Sequence, residues 1–183
     1  MLESKVKRLL GMAVLAGLAG CVTMQPQAVE YKIASNFNSE FARNQIADGL
    51  GEINGTAFLK QQGGGVVTCA GQDVHLFPVT EYASDRVLLL YGGLPSLNRT
   101  VSQDIRNVLN KKTSFVPDPP EYKEHSKITK CDANGEFQFS QVKDGEYYIN
   151  TAVFWRVQAY QGGQLLAYAK VENGKSPRII MTR

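Results

Sequence analysis

The chain has 183 residues, 43% of them hydrophobic and 20% charged, with a formal net charge of +3. That length suits one domain with a real apolar core. Lys5, Lys7 and Arg8 against Glu3 account for +2 of the charge, so the remainder carries about +1 and lacks the clustered basic face of a nucleic-acid reader.

The basic residues at positions 5–8 are followed by an apolar run over residues 9–18, then by small residues and Cys21. This is the layout of a secretory signal peptide. The run is too short to span a bilayer, which needs about 20 residues. Leu18-Ala19-Gly20-Cys21 resembles the lipobox of bacterial lipoproteins. The resemblance implies that residues 1–20 are removed and that Cys21 receives a diacylglyceryl group on its sulfur, with the new amino group acylated in turn. Small residues before the cut let the peptidase approach the backbone, and the thiol supplies the nucleophile. Each buried methylene contributes about 0.8 kcal/mol, and two or more chains hold a protein on a membrane without spanning it. Val22 stands where Gram-negative lipoproteins kept at the inner membrane often have aspartate. The implied location is therefore the outer membrane, facing either the periplasm or the exterior.

Residues 21–50 read as a lipidated tether and N-terminal arm, polar and Pro-broken at Pro26, with Phe37 and Phe41 placed to pack onto the domain. From residue 51 the texture is β. Residues 53–60 form a first strand, Gly63-Gly64-Gly65 a turn, and residues 66–69 a short β-branched strand. A strand over 74–79 puts Val74 and Leu76 on one face and His75 and Phe77 on the other. Residues 81–130 break this pattern and read as a partly helical insertion. Thr100 and Gln103 resemble a capping box, and Val101, Ile105, Val108 and Leu109 recur at helical spacing, which predicts a helix over 101–111. Residues 87–91 are a short helix or strand ending at Gly92-Gly93, and residues 116–120 an extended linker.

After Cys131 the β texture resumes. Asp132-Ala133-Asn134-Gly135 is a turn, and Phe137 and Phe139 alternate after it. A long strand follows the Lys143-Asp144-Gly145 turn, with Tyr147, Ile149, Thr151, Val153, Trp155 and Val157 on one face. Gln161-Gly162-Gly163-Gln164 reads as a tight connection and Asn173-Gly174 as a hairpin turn between the last two strands. About seven strands result, at sandwich spacing, so the expected class is all-β.

The run Asp132-Ala133-Asn134-Gly135-Glu136-Phe137, followed by Gly145-Glu146-Tyr147, resembles the carboxypeptidase regulatory-like domain. Gly55-Thr56-Ala57-Phe58 and Gly71-Gln72-Asp73-Val74-His75-Leu76 resemble its opening hairpin. The resemblance implies a prealbumin-like (transthyretin-like) β-sandwich over residues 51–183. It also implies a non-catalytic stabilising or adhesive role.

Three cysteines are present. With Cys21 assigned to lipid, Cys69 and Cys131 are left in an oxidising compartment, where they form a disulfide or remain two free thiols. Two cysteines without a close histidine pair do not make a zinc site, so no metal and no cofactor are expected. The chain has two histidines, His75 and His125, and no serine in an elbow motif. Transthyretin-like hydrolases that act on hydroxyisourate end in Tyr-Arg-Gly-Ser; this chain ends Ile180-Met181-Thr182-Arg183. Catalytic residues are therefore expected to be absent. Tyr82, Tyr91 and Tyr122 are the candidate contact residues, because aromatic side chains on loops favour recognition. The expected function is an anchored binding or scaffolding module with an envelope-protein partner; a glycan or small-ligand binder is the alternative, and a hydrolase a third.

Overall fold

The structure, a computed structural model, describes residues 27–183. The signal-peptide segment, Cys21 and the polar stretch around Pro26 lie outside the described residues. In chain order the elements are β1 Gln27–Lys32, α1 Ser39–Ile46, β2 Gly51–Lys60, β3 Val66–Thr68, β4 Asp73–Pro78, α2 Glu81–Tyr91, β5 Val101–Asp104, α3 Ile105–Asn110, β6 Lys111–Val116, α4 Glu121–Glu124, β7 Lys127–Lys130, β8 Glu136–Val142, β9 Gly145–Arg156, β10 Tyr160–Val171 and β11 Ile179–Met181. The described residues thus hold eleven strands where turn spacing predicts about seven.

Two sheets bury one core between them. The first has strand order β5-β10-β9-β4-β7. The second is built on β2, which pairs with β8, β3 and, in parallel, β11. Strict alternation makes this possible. On β2 Ile53, Ala57 and Leu59 point inward; on β4 Val74 and Leu76; on β9 Tyr147, Ile149 and Val153; on β10 Leu165, Ala167, Ala169 and Val171. Each large aliphatic side chain taken fully from water contributes about 1.5–3 kcal/mol. Phe137 and Phe139 on β8 close the layer from the other sheet, their rings 6.2 Å apart.

The turn before β8 is locked by its own side chain. Asp132 Oδ1 accepts from the backbone N–H of Asn134 and of Glu136, both at 2.8 Å. Gly135 has φ +81°, and a Cβ there would stand 2.6 Å from Thr68 Cβ, so both the backbone angle and the space require glycine. Cys69 and Cys131 are bonded, with Cα atoms 5.7 Å apart, and tie the end of β3 to the chain just after β7.

Several expectations are corrected. The helix expected over 101–111 begins only at Ile105: Val101–Asp104 is strand β5, paired with Leu166–Gly163 of β10. The cap is Asp104, whose carboxylate accepts from Arg106 N, not Thr100. Of the two readings of residues 87–91, helix holds and ends at Gly92 in the left-handed region, but the helix is the longer α2, which begins at Glu81. Gln161–Gln164 lies inside β10 instead of forming a turn, and Val157, expected on the inward face of β9, is outside the strand and exposed. Asn173-Gly174 does turn, but the strand after it joins β2 of the other sheet. Residues 27–50 are not merely a tether: β1 pairs in parallel with β6, and α1 packs beyond it. The segment 81–130 also supplies β5 and β7, the two edges of the five-stranded sheet.

Candidate ligand cleft

The outward face of the five-stranded sheet is covered as well. Register places Tyr148 between Phe77 and Tyr168, and Asn150 between His75 and Leu166. Helix α2 lies over this face, with Ala83 and Val87 against Tyr148 and Leu166. Its start is fixed by Thr80 Oγ1, which accepts from Ala83 N at 3.0 Å. Ser84 Oγ and the Tyr148 hydroxyl share a hydrogen bond of 2.9 Å. Beside α2, the turn α4 delivers Tyr122, which stacks flat on Phe77 with centroids 5.4 Å apart.

A buried cation organises these rings. The Arg86 guanidinium lies 3.7 Å from the Phe115 centroid and 4.5 Å from that of Tyr122. It pairs with Asp118 at 2.5 Å and donates to the Tyr82 hydroxyl at 3.1 Å. Tyr82 in turn donates to the Pro117 carbonyl at 2.6 Å. Cation–π contacts of a desolvated guanidinium contribute about 2 kcal/mol. Arginine is the residue that can be flat against rings and still hold a carboxylate.

Between α2, α4 and the sheet a cleft of about 210 Å³ remains open. Phe77, Tyr91, Tyr122 and Tyr148 give it aromatic walls, and Asn150 and Gln164 a polar floor. The amides form a relay. Gln164 Nε2 donates to Asn150 Oδ1 at 3.0 Å, and Asn150 Nδ2 donates to the Tyr91 hydroxyl at 2.8 Å and to the Leu165 carbonyl at 3.1 Å. As Tyr91 accepts from Asn150, its own O–H proton remains to be donated. Burial pushes the Tyr91 phenol up, against the opposing Asn150 hydrogen bond. Burial likewise pushes Tyr122 up to about 12, despite the Arg86 charge. Both hydroxyls are therefore neutral donors throughout the physiological range.

Of the three candidate tyrosines, Tyr91 and Tyr122 meet in this cleft. Tyr82 does not: it is fully buried and acts through Arg86. All three sit on helices, Tyr82 and Tyr91 on α2 and Tyr122 on α4, not on loops. Phe77, Arg86, Asn150 and Gln164 were not read as contact residues from the sequence. Asn150 had a signal, since it interrupts an otherwise apolar stretch at an outward position of a long strand. A wider hollow of about 720 Å³ lies along residues 36–39 and 79–81, but it is more open and mainly polar. Near it Ser39 Oγ and His125 Nε2 are 3.0 Å apart. The other ring nitrogen makes no hydrogen bond among the described residues, so this pair lacks the orienting partner of a nucleophilic triad. His75 stacks on Phe77. No group of three His, Cys, Asp or Glu side chains that could hold a metal occurs among the described residues. No helix there is long and apolar enough to cross a membrane.

A crystal structure of a candidate carbohydrate-binding protein from Pseudomonas aeruginosa is similar to this chain in fold. The TM-score is 0.62 at 22% identity, over 82% of this chain and 99% of that one. No family model matches the chain. Nor does any curated protein match it. The likeness shows a shared, mostly β architecture.

Proposed function

We propose that this chain is an exported, lipid-anchored module of the cell envelope that binds a saccharide in the aromatic cleft and acts by contact instead of turnover. The observation that carries this reading is the meeting of stacked ring faces with the Gln164–Asn150–Tyr91 relay in one cleft. A sugar ring presents C–H faces to aromatics and hydroxyls to amides, and needs both from its site. The cleft is smaller than the roughly 300–1,000 Å³ of drug-sized ligand sites, which favours a single ring or the terminal unit of a longer glycan. The Pseudomonas aeruginosa neighbour supports the same direction. The anchor at Cys21 and the outer-membrane location are proposed from Leu18-Ala19-Gly20-Cys21 and Val22. The prealbumin-like assignment and the adhesive role are proposed from the carboxypeptidase regulatory-like motifs.

Titration calorimetry of the protein against envelope saccharides tests this. Asn150→Ala and Gln164→Ala are each expected to weaken the best ligand about ten-fold, equal to about 1.4 kcal/mol. Saccharide binding that both variants leave unchanged would contradict the assignment of the cleft. A second reading, docking of an envelope protein, is favoured by Leu88, Leu89, Leu94 and Leu97, each exposed, at the end of α2 and just after it in the chain.

A further inference from the structure

The described chain begins at Gln27, which pairs with Lys111, as Ala28 does with Lys112, because β1 and β6 run parallel. Lys111 directly follows α3. That helix continues from β5, which is antiparallel to β10 with Asp104 opposite Gly163, so α3 runs along β10 toward the β9–β10 turn. One end of the molecule thus holds the start of β1, helix α3 and the tip of the β9–β10 hairpin.

This end has a distinct chemistry. Leu109, Phe154, Val157 and Tyr160 expose apolar side chains, Val157 at 72%. Arg106, Lys111, Lys112 and Arg156 add positive charge, and residues 105–115 and 151–163 contain no Asp or Glu. Asp104, just before α3, is already held by Arg106 at 2.8 Å, and Glu30 lies further along β1, opposite Ser114. Arg156 sits 5.5 Å from the Tyr160 ring. Trp155, the single tryptophan, is half-buried beside them. Amphipathic aromatics, exposed aliphatics and cations together are what the interfacial zone of a bilayer accommodates, and anionic headgroups attract the cations.

The geometry points to this end as a membrane-docking face that seats the hairpin tip on an anionic phospholipid surface. The inference rests on the proposed Cys21 anchor. From Cys21 to Gln27 an extended chain reaches at most on the order of 20 Å, so the anchor holds this end close to the bilayer. Asn150 lies about 20 Å back along β9 from Arg156, which keeps the cleft clear of the lipid.

The lipidated protein, reconstituted into phosphatidylethanolamine–phosphatidylglycerol vesicles with brominated acyl chains, provides the test. Trp155 emission and co-sedimentation are read together. Trp155 should be quenched, and V157W, which puts an indole at the tip, more strongly. Each of K111Q and K112Q, which remove one positive charge, should lower the docked-to-undocked ratio about five-fold. Co-sedimentation with neither Trp155 nor V157W quenched overturns the docking face while sparing the anchor. Loss of co-sedimentation, with no added lipid mass on Cys21, overturns the anchor and this inference with it. Quenching that disappears, with the protein still on the vesicles, once purified peptidoglycan is added would assign the face to the cell wall and overturn the proposal.

Discussion

The two faces of the five-stranded sheet carry different chemistry. Toward β2 and β8 the side chains are almost wholly apolar, and the Cys69–Cys131 bond adds a covalent link to their packing. Toward α2 the same strands present Phe77, Tyr148, Asn150 and Gln164, and the layer covering them is tyrosine-rich around one buried cation. Each face is specified by the residues of one parity on the same strands. The inner face makes a core that excludes water and fixes the fold. The outer face keeps hydroxyls and amides that packing alone does not need, and that is where a cleft opens.

The largest expected effect lies on the inner side. Replacing Cys69 and Cys131 by serine opens a 62-residue separation and should cost about 4 kcal/mol in the chain-entropy model, read as a lower urea midpoint. An unchanged midpoint would mean that packing between the sheets needs no crosslink.

Next comes the centre of the outer layer. Arg86→Leu removes the ring stacking and the Asp118 pair, and should cost about 2 kcal/mol, below the range for fully buried pairs because Asp118 keeps contact with water. Arg86→Lys should recover little, since an ammonium cannot lie flat between Phe115 and Tyr122.

A pH effect comes next, from a tyrosine of the outer layer. Tyr122 is raised to about 12 by burial, so above pH 10 the unfolded chain gives up this proton first and stability falls from about pH 10 to 12. Below pH 10 the hydroxyl is neutral in both states and adds no slope. Tyr122→Phe should flatten the fall in a thermal-melt series, by an amount of order 2 kcal/mol at its upper end. The smallest effect on stability belongs to Asn150→Ala and Gln164→Ala, each within about 1 kcal/mol for a partly exposed amide, although their effect on binding should be large.

The inner face was the more legible one. Val74 and Leu76, Tyr147 through Val153, and the Asp132–Gly135 turn all follow from period-two alternation and local turn chemistry, and they stand where the sequence puts them. The outer layer was obscured by competition between elements. Val101–Asp104 has helical spacing, but the open edge of β10 offers backbone pairing, and the strand wins until Asp104 can cap α3. Gly162 looked like a turn residue. Its φ of +112° instead serves a close approach inside β10, where a Cβ would meet the Val153 carbonyl at 2.2 Å. The parallel β1–β6 pair joins segments more than 80 residues apart, so no local pattern announces it. Tyr91 and Tyr122 were identified one by one, but their shared cleft exists only once α2 and α4 are laid on the sheet.

The most direct test of the central claim is a side-chain amide NMR titration with the saccharide that binds most tightly. The account predicts that the Asn150 and Gln164 amide signals shift together and saturate with one affinity, while the backbone signals of Ile53 and Val74 in the inner core stay still. Saturable binding that moves neither amide, or shifts confined to the exposed Leu94 and Leu97, would contradict it.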